Sequence, residues 1–214
     1  MENKYAFFEP DGIYHVYNRA NGDEKIFLSN ENYSFFLRKY EKYIPPLAET
    51  LRYCLMPNHF HFLIKIKNEE ALKEQFELKA LPKEEDLPGF QNLAGLNNKK
   101  LSNYISKQFS NLFNSYTKAF NKMYHRKGTL FMKPFRRKKV EDEAYLKKLV
   151  HYIHYNPVES GMAKTPMDWK YSSFQAIISS KQSLVCRNQV IAFFEDQENF
   201  IFYHKTSPFI NGIN

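Results

Sequence analysis

The chain has 214 residues, 43% of them hydrophobic and 25% charged, which is ordinary globular usage and excludes wholesale disorder. A formal net charge of +8 makes an anionic partner a live alternative to a merely solvated basic face. Two cysteines, Cys54 and Cys186, exclude a disulfide framework, and neither an apolar leader core nor an apolar run near ~18 residues is visible, so a reduced, cytoplasmic chain with no membrane partner is expected.

In chain order, residues 12–20 alternate large and polar groups after a Pro10-Asp11-Gly12 turn and read as a first strand. Asn30-Glu31 opens a helix with Tyr33, Phe36, Leu37 and Tyr40 at helical spacing, ended by Pro45-Pro46. Residues 49–56 form a second strand and 59–67 a third, and the short Pro57-Asn58 link predicts an antiparallel hairpin. The stretch 69–86 holds seven acids and three lysines and is followed by turn residues, so about 68–98 reads as an insertion or mobile loop. Residues 99–123 carry Leu101, Ile105, Phe109, Leu112, Phe113, Tyr116 and Phe120 on one helical stripe. A strand is expected in 130–140, interrupted by Pro134, then a helix over 142–155 that ends near Asn156-Pro157. Beyond about 180, only the stretch 188–196 shows a short helical pattern. The order β-α-β-β-α-β predicts an α+β, ferredoxin-like split βαβ fold, with an antiparallel sheet, helices on one face, and an added C-terminal helix and tail.

Three constellations bear on chemistry. His59-Phe60-His61 opens the third strand, where positions i and i+2 share a face, so both imidazoles can reach one ion while Phe60 points to the opposite layer. Taken alone, such a pair is commonly two surface histidines. Tyr152 and Asn156, spaced i, i+4, share a helical face; the bland alternative is that Tyr145, Leu149 and Tyr152 form a buried stripe and Asn156-Pro157 a helix stop. The segment 118–139 holds nine bases and no acid: Lys118, Lys122, Arg126, Lys127, Lys133, Arg136, Arg137, Lys138 and Lys139. Tyr124, His125, Phe131 and Phe135 lie among them, and a one-sign run with aromatics reads as a nucleic-acid surface.

In this order the motifs resemble a known group. Pro57-Asn58-His59-Phe60-His61 between two strands looks like the HUH motif of insertion-sequence-200-like transposases. Tyr152-Ile153-His154-Tyr155-Asn156-Pro157-Val158, Gly161 and Trp169-Lys170-Tyr171-Ser172-Ser173-Phe174 are similar to REP-associated tyrosine transposases, as are Tyr14-His15-Val16-Tyr17-Asn18-Arg19 and Gly128-x-Leu130-Phe131. The resemblance implies a domain over 1–176 carrying the acidic insertion, and a C-terminal extension over 177–214. It implies Tyr152 as the single catalytic tyrosine, His59 and His61 as metal ligands, and Asn156 as a third ligand one turn after the tyrosine. Arg19 joins the nine bases as a candidate DNA contact.

The chemistry suits these residue types. A phosphodiester resists attack by another anion until a divalent ion withdraws charge from its oxygens. Two imidazoles and an amide make an open, uncharged site, for which Mg2+ or Mn2+ is inferred. A phenol with a pKa of ~10 is a poor nucleophile but a good leaving group in reverse, as strand rejoining through a 5′-phosphotyrosine requires. The expected partner is single-stranded or hairpin DNA, with nucleoid association when bound. A non-cleaving, domesticated hairpin binder and a ferredoxin-like RNA-binding module are the competing readings. Monomer and homodimer, an active site in cis or in trans, and the recognised DNA element all stay open.

Overall fold

The computed structural model describes residues 5–80 and 98–208, with side chains left out for 76–80 and 98. In chain order the elements are β1 (Ile13–Arg19), α1 (Asn30–Tyr43), β2 (Ala48–Met56), β3 (His59–Ile66), α2 (Glu69–Ala80) and α3 (Asn98–Met123). They continue with β4 (Arg136–Val140), α4 (Glu143–Glu159), a 3-10 turn at Pro166–Asp168, and three short helices, α5 (Phe174–Ile178), α6 (Arg187–Ala192) and α7 (Gln197–Tyr203).

The four strands form one sheet in the order β2-β3-β1-β4, and every pairing is antiparallel. This is the expected α+β arrangement. The Pro57-Asn58 turn closes the β2–β3 hairpin with Met56 opposite His59, and β1 then lies between β3 and β4.

Strand periodicity divides the core in two. Tyr14 and Val16 of β1 and Phe60, Phe62, Ile64 and Ile66 of β3 face a layer made by α1 and α3. That layer is aromatic, with Phe36, Tyr40, Phe109 and Tyr116 almost fully buried. Full burial of a large apolar side chain contributes about 1.5–3 kcal/mol, so this layer is where the fold is anchored. The opposite sheet face carries Leu51, Leu63 and Val140, covered by Leu146, Leu149, Val150 and Ile153 of α4 and by the helices that follow. The two core helices thus share one face, and the added helix α4 lies on the other.

Four local expectations change. The strand predicted over 130–140 is ordered only from Arg136; Phe131 makes one isolated bridge to Ala20, because Pro134 has no N–H to continue a ladder. The acidic stretch begins as the helix α2, while residues 81–97 of the expected insertion lie outside the described residues. α4 runs through Pro157 to Glu159. A proline in the last turn removes a single donor, and the end is closed elsewhere: Ser160 donates to the Asn156 carbonyl, and Met162 and Ala163 donate to that of Pro157. The tail carries α6 near its expected place and α7 besides. Among the described residues no helix is long and apolar enough to cross a membrane.

Candidate active site

The face of the sheet covered by α4 also carries the two histidines. His59 and His61 leave β3 on the side opposite Phe60 and Phe62, and their ring centroids lie 5.1 Å apart at an interplanar angle of 87°. His59 Nδ1 is 2.7 Å from Asn58 Oδ1, and its Nε2 is 3.5 Å from Asn156 Oδ1. Asn156 in turn donates its amide N–H to the Tyr152 carbonyl at 3.0 Å, which aims the amide oxygen at the sheet. The Tyr152 ring stands 5.9 Å from that of His61, near perpendicular. Two strand positions and two positions one helical turn apart therefore converge on one point.

The helix is held for this task at both ends. Asp142 caps α4 by accepting from the Ala144 and Tyr145 backbone N–H groups at 3.1 and 3.0 Å, and a carboxylate there also suits the helix dipole. Its apolar stripe, Leu146, Leu149, Val150 and Ile153, is buried on the sheet. Of the α4 tyrosines only Tyr152 lines the cleft described below: Tyr145 packs, as Tyr152 also does, against the α4-side core, and Tyr155 sits against His151 with ring centroids 5.7 Å apart.

Burial keeps the histidines neutral. The imidazole of His61 is held well below its ordinary pKa by burial first, then by His15 and His59. That of His59 is lowered by burial, opposed by the Asn156 contact and assisted by Arg19. The Tyr152 phenol is pushed up by burial, with Asn156 acting against it. At neutral pH the site thus holds neutral imidazoles and a protonated phenol.

These groups open onto a cleft of about 670 Å³ whose walls include His15, Tyr17, Asn58 and Tyr152. Of the bases expected to meet DNA, Arg19, Lys133 and Arg136 line it. Lys118, Lys122 and Lys127 are exposed on and just after α3, whose buried stripe packs on the far sheet face. Arg126 is tied into its own loop by Glu24 and by the carbonyls of Gly128 and Thr129. Arg137 donates to the Ala6 carbonyl at 2.6 Å and lies over the rings of Phe8 and Phe135. Lys139 pairs with Glu9, and Lys138 is only 5% exposed, beside His15 in the β1–β4 register.

Three residues of the site escaped the motif reading as participants: His15, Tyr17 and Asn58. The rings of His15 and Tyr17 stack with that of His61 at 5.1 and 5.8 Å. Period 2 along 13–19 places His15 and Tyr17 on one face, but only the strand order brings that face beside His61. Among the described residues no group of three His, Cys, Asp or Glu side chains is gathered as a metal site. The oxygen facing His59 Nε2 is that of the Asn156 amide, at 3.5 Å.

Fold and cleft together define an α+β protein with two sheet-borne histidines facing a helix-borne tyrosine. Among solved structures, the chain is similar to that of a REP-associated tyrosine transposase bound to a REP hairpin. The identity is 14%, the TM-score 0.52, and the match covers 84% of this chain and 87% of the other. At that identity the likeness is one of fold. No protein-family model matches the chain, and no curated protein matches it significantly.

Proposed function

We propose that this protein is a metal-dependent single-strand DNA endonuclease and strand transferase of the transposase type, with Tyr152 as its nucleophile. The observation that carries the proposal is the convergence of Tyr152, His59 and His61 in the wall of a basic cleft, with Asn156 against His59 behind them. The fold-level likeness to a tyrosine transposase bound to a REP hairpin supports it.

The donor set fits a divalent cation. Asn58 Oδ1 accepts from His59 Nδ1, so in the neutral ring Nε2 carries only a lone pair. That lone pair faces Asn156 Oδ1 at 3.5 Å, and the amide nitrogen of Asn156 is already engaged with the Tyr152 carbonyl. Two acceptors turned toward each other repel unless a cation lies between them. His59, His61 and Asn156 would hold Mg2+ or Mn2+, and when bound the ion would draw charge from the scissile phosphate.

In the reaction, Tyr152 Oη bonds to phosphorus while the bond from phosphorus to the 3′-oxygen breaks. The phenolic proton is lost and the leaving 3′-oxygen gains one, so the 3′-hydroxyl product and the 5′-phosphotyrosine balance without consuming water. Arg19, Lys133 and Arg136 neutralise the backbone of the strand laid in the cleft. Tyr17 is at hand for stacking on an unpaired base.

The test is a nicking assay on single-stranded hairpin oligonucleotides with and without Mg2+ or Mn2+, read as a covalent protein–DNA adduct. A metal-dependent adduct is expected. Hairpin binding without any adduct would favour the non-cleaving hairpin binder, and preference for RNA over single-stranded DNA would overturn both.

A further inference from the structure

The two imidazoles of the site are not held in the same way. His59 has a fixed tautomer, because Asn58 Oδ1 offers only lone pairs to Nδ1. His61 meets another histidine instead: His15 Nε2 lies 2.8 Å from His61 Nδ1, with His15 2% exposed and His61 7% exposed. Either ring can be the donor in that contact.

We propose that His15 is a positioning residue that accepts from His61 Nδ1–H and so presents the His61 Nε2 lone pair to the bound cation, exchanging roles with His61 when the cation leaves. The proposal rests on the metal reading given above. If His15 donates from Nε2, His61 Nδ1 is the acceptor, neutral His61 keeps its proton on Nε2, and it cannot ligate. If His61 donates from Nδ1, its Nε2 lone pair is free, but His15 must carry its own proton on Nδ1.

His15 Nδ1 is buried and has no hydrogen-bond partner among the described residues. Buried N–H groups without an acceptor are rare in folded chains, and buried acceptors short of a donor are less so. Without a cation the pair therefore rests with His15 as donor, and a cation on His61 Nε2 drives it to the other arrangement. A doubly protonated His15 would bury a positive charge opposite Lys138 in the strand register. The bookkeeping closes without net titration. The proton between the rings crosses to His61 Nδ1, His61 releases the one on Nε2, His15 takes one on Nδ1, and the pair holds two throughout.

The tests read metal binding and tautomer state, not turnover. In the wild-type chain, 15N NMR of the histidines should show His61 protonated on Nε2 without metal and on Nδ1 in saturating Mg2+. By calorimetry, His15→Phe keeps the stacking on Tyr17 but offers no acceptor, and should weaken Mn2+ binding ~10–100-fold. His15→Gln restores an acceptor and should recover most of that loss. A His15→Phe protein that binds Mn2+ as tightly as wild type, or His61 bare at Nδ1 in the Mg2+ form, overturns the proposal alone. A wild-type chain that binds neither ion in the cleft overturns the metal reading and this inference with it.

Discussion

At the residue scale, the phenol of Tyr152 is distinguished from its helical neighbours by what it faces, not by its own chemistry. Tyr145 and Tyr155 do not line the cleft, whereas Tyr152 borders it with His61 at 5.9 Å between ring centroids. Tyr152→Phe removes one hydroxyl from a partly buried ring. It should lower adduct formation on the order of 10³-fold or more while leaving hairpin affinity nearly unchanged, checked by a covalent-adduct gel beside a binding isotherm. Tyr155→Phe is the control and should keep full adduct. An adduct that persists in Tyr152→Phe would place the nucleophile elsewhere. His59→Ala should also stop cleavage, with loss of Mn2+ binding as the separate readout.

At the element scale, β4 converts four consecutive bases into two functions. Alternation along the strand turns Arg136 to the cleft, while Arg137 reaches the Ala6 carbonyl and the rings of Phe8 and Phe135 on the far side. Arg136→Ala should therefore weaken single-stranded DNA binding and flatten the slope of log affinity against log salt by about 0.7, the value for one phosphate contact. Arg137→Ala should leave that slope alone and instead lower stability by about 1 kcal/mol or more, because a half-buried carbonyl loses its charged donor. Equal slopes for the two variants would show that strand alternation does not sort these bases. α4 offers a second check at this scale. Asp142→Ala should cost about 1 kcal/mol in urea unfolding through loss of the cap that positions the tyrosine helix.

At the scale of the whole molecule, the C-terminal helices are bolted to the back of α4 through buried polar groups. His154 of α4 lies 3.3 Å from His204, and its other ring nitrogen is 2.9 Å from Ser173 Oγ. Beside them on β2, Arg52 is 0% exposed, none of its guanidinium nitrogens has a hydrogen-bond partner among the described residues, and its charge lies 5.8 Å from the Phe200 ring centroid. A charge so buried is costly. Arg52→Met should raise stability, by about 1–4 kcal/mol on the scale known for replaced buried ion pairs. A loss would mean that the contact with Phe200 and the packing of the side-chain stem outweigh desolvation. The histidines around Arg52 set a pH dependence. Burial lowers His151 to about 4 and His204 well below its ordinary value, with Arg52 adding to both shifts. A group depressed in the folded state contributes stability above its unfolded pKa of ~6.5 and loses it as pH falls toward the folded value. Urea unfolding should thus show stability dropping between pH 6.5 and 4 by about 1.4 kcal/mol per unit for each such histidine, and Arg52→Met should soften the drop.

Much of this protein was legible along the chain, because its signals are local. The period-2 run in β3 put His59 and His61 on one face, and the i, i+4 spacing on α4 joined Tyr152 to Asn156. The order of strands and helices pointed to the split βαβ sheet, and the hairpin link showed which strands pair first. The rest depended on distance in sequence. His15 and His61 are 46 positions apart and meet only because β1 inserts between β3 and β4. The basic run looked like one surface when read linearly, yet alternation, a loop and a helix face send its members in different directions. Pro157 read as a helix stop, but the end of α4 is closed by donors further along the chain. The buried histidine cluster had no signal at all, since a histidine in a strand or helix looks the same whether water or Arg52 surrounds it. Sequence by itself determined the periodicities, and with them the faces of each element; which faces meet was decided by tertiary packing, because side-chain contacts between distant strands arise only once the sheet order is set.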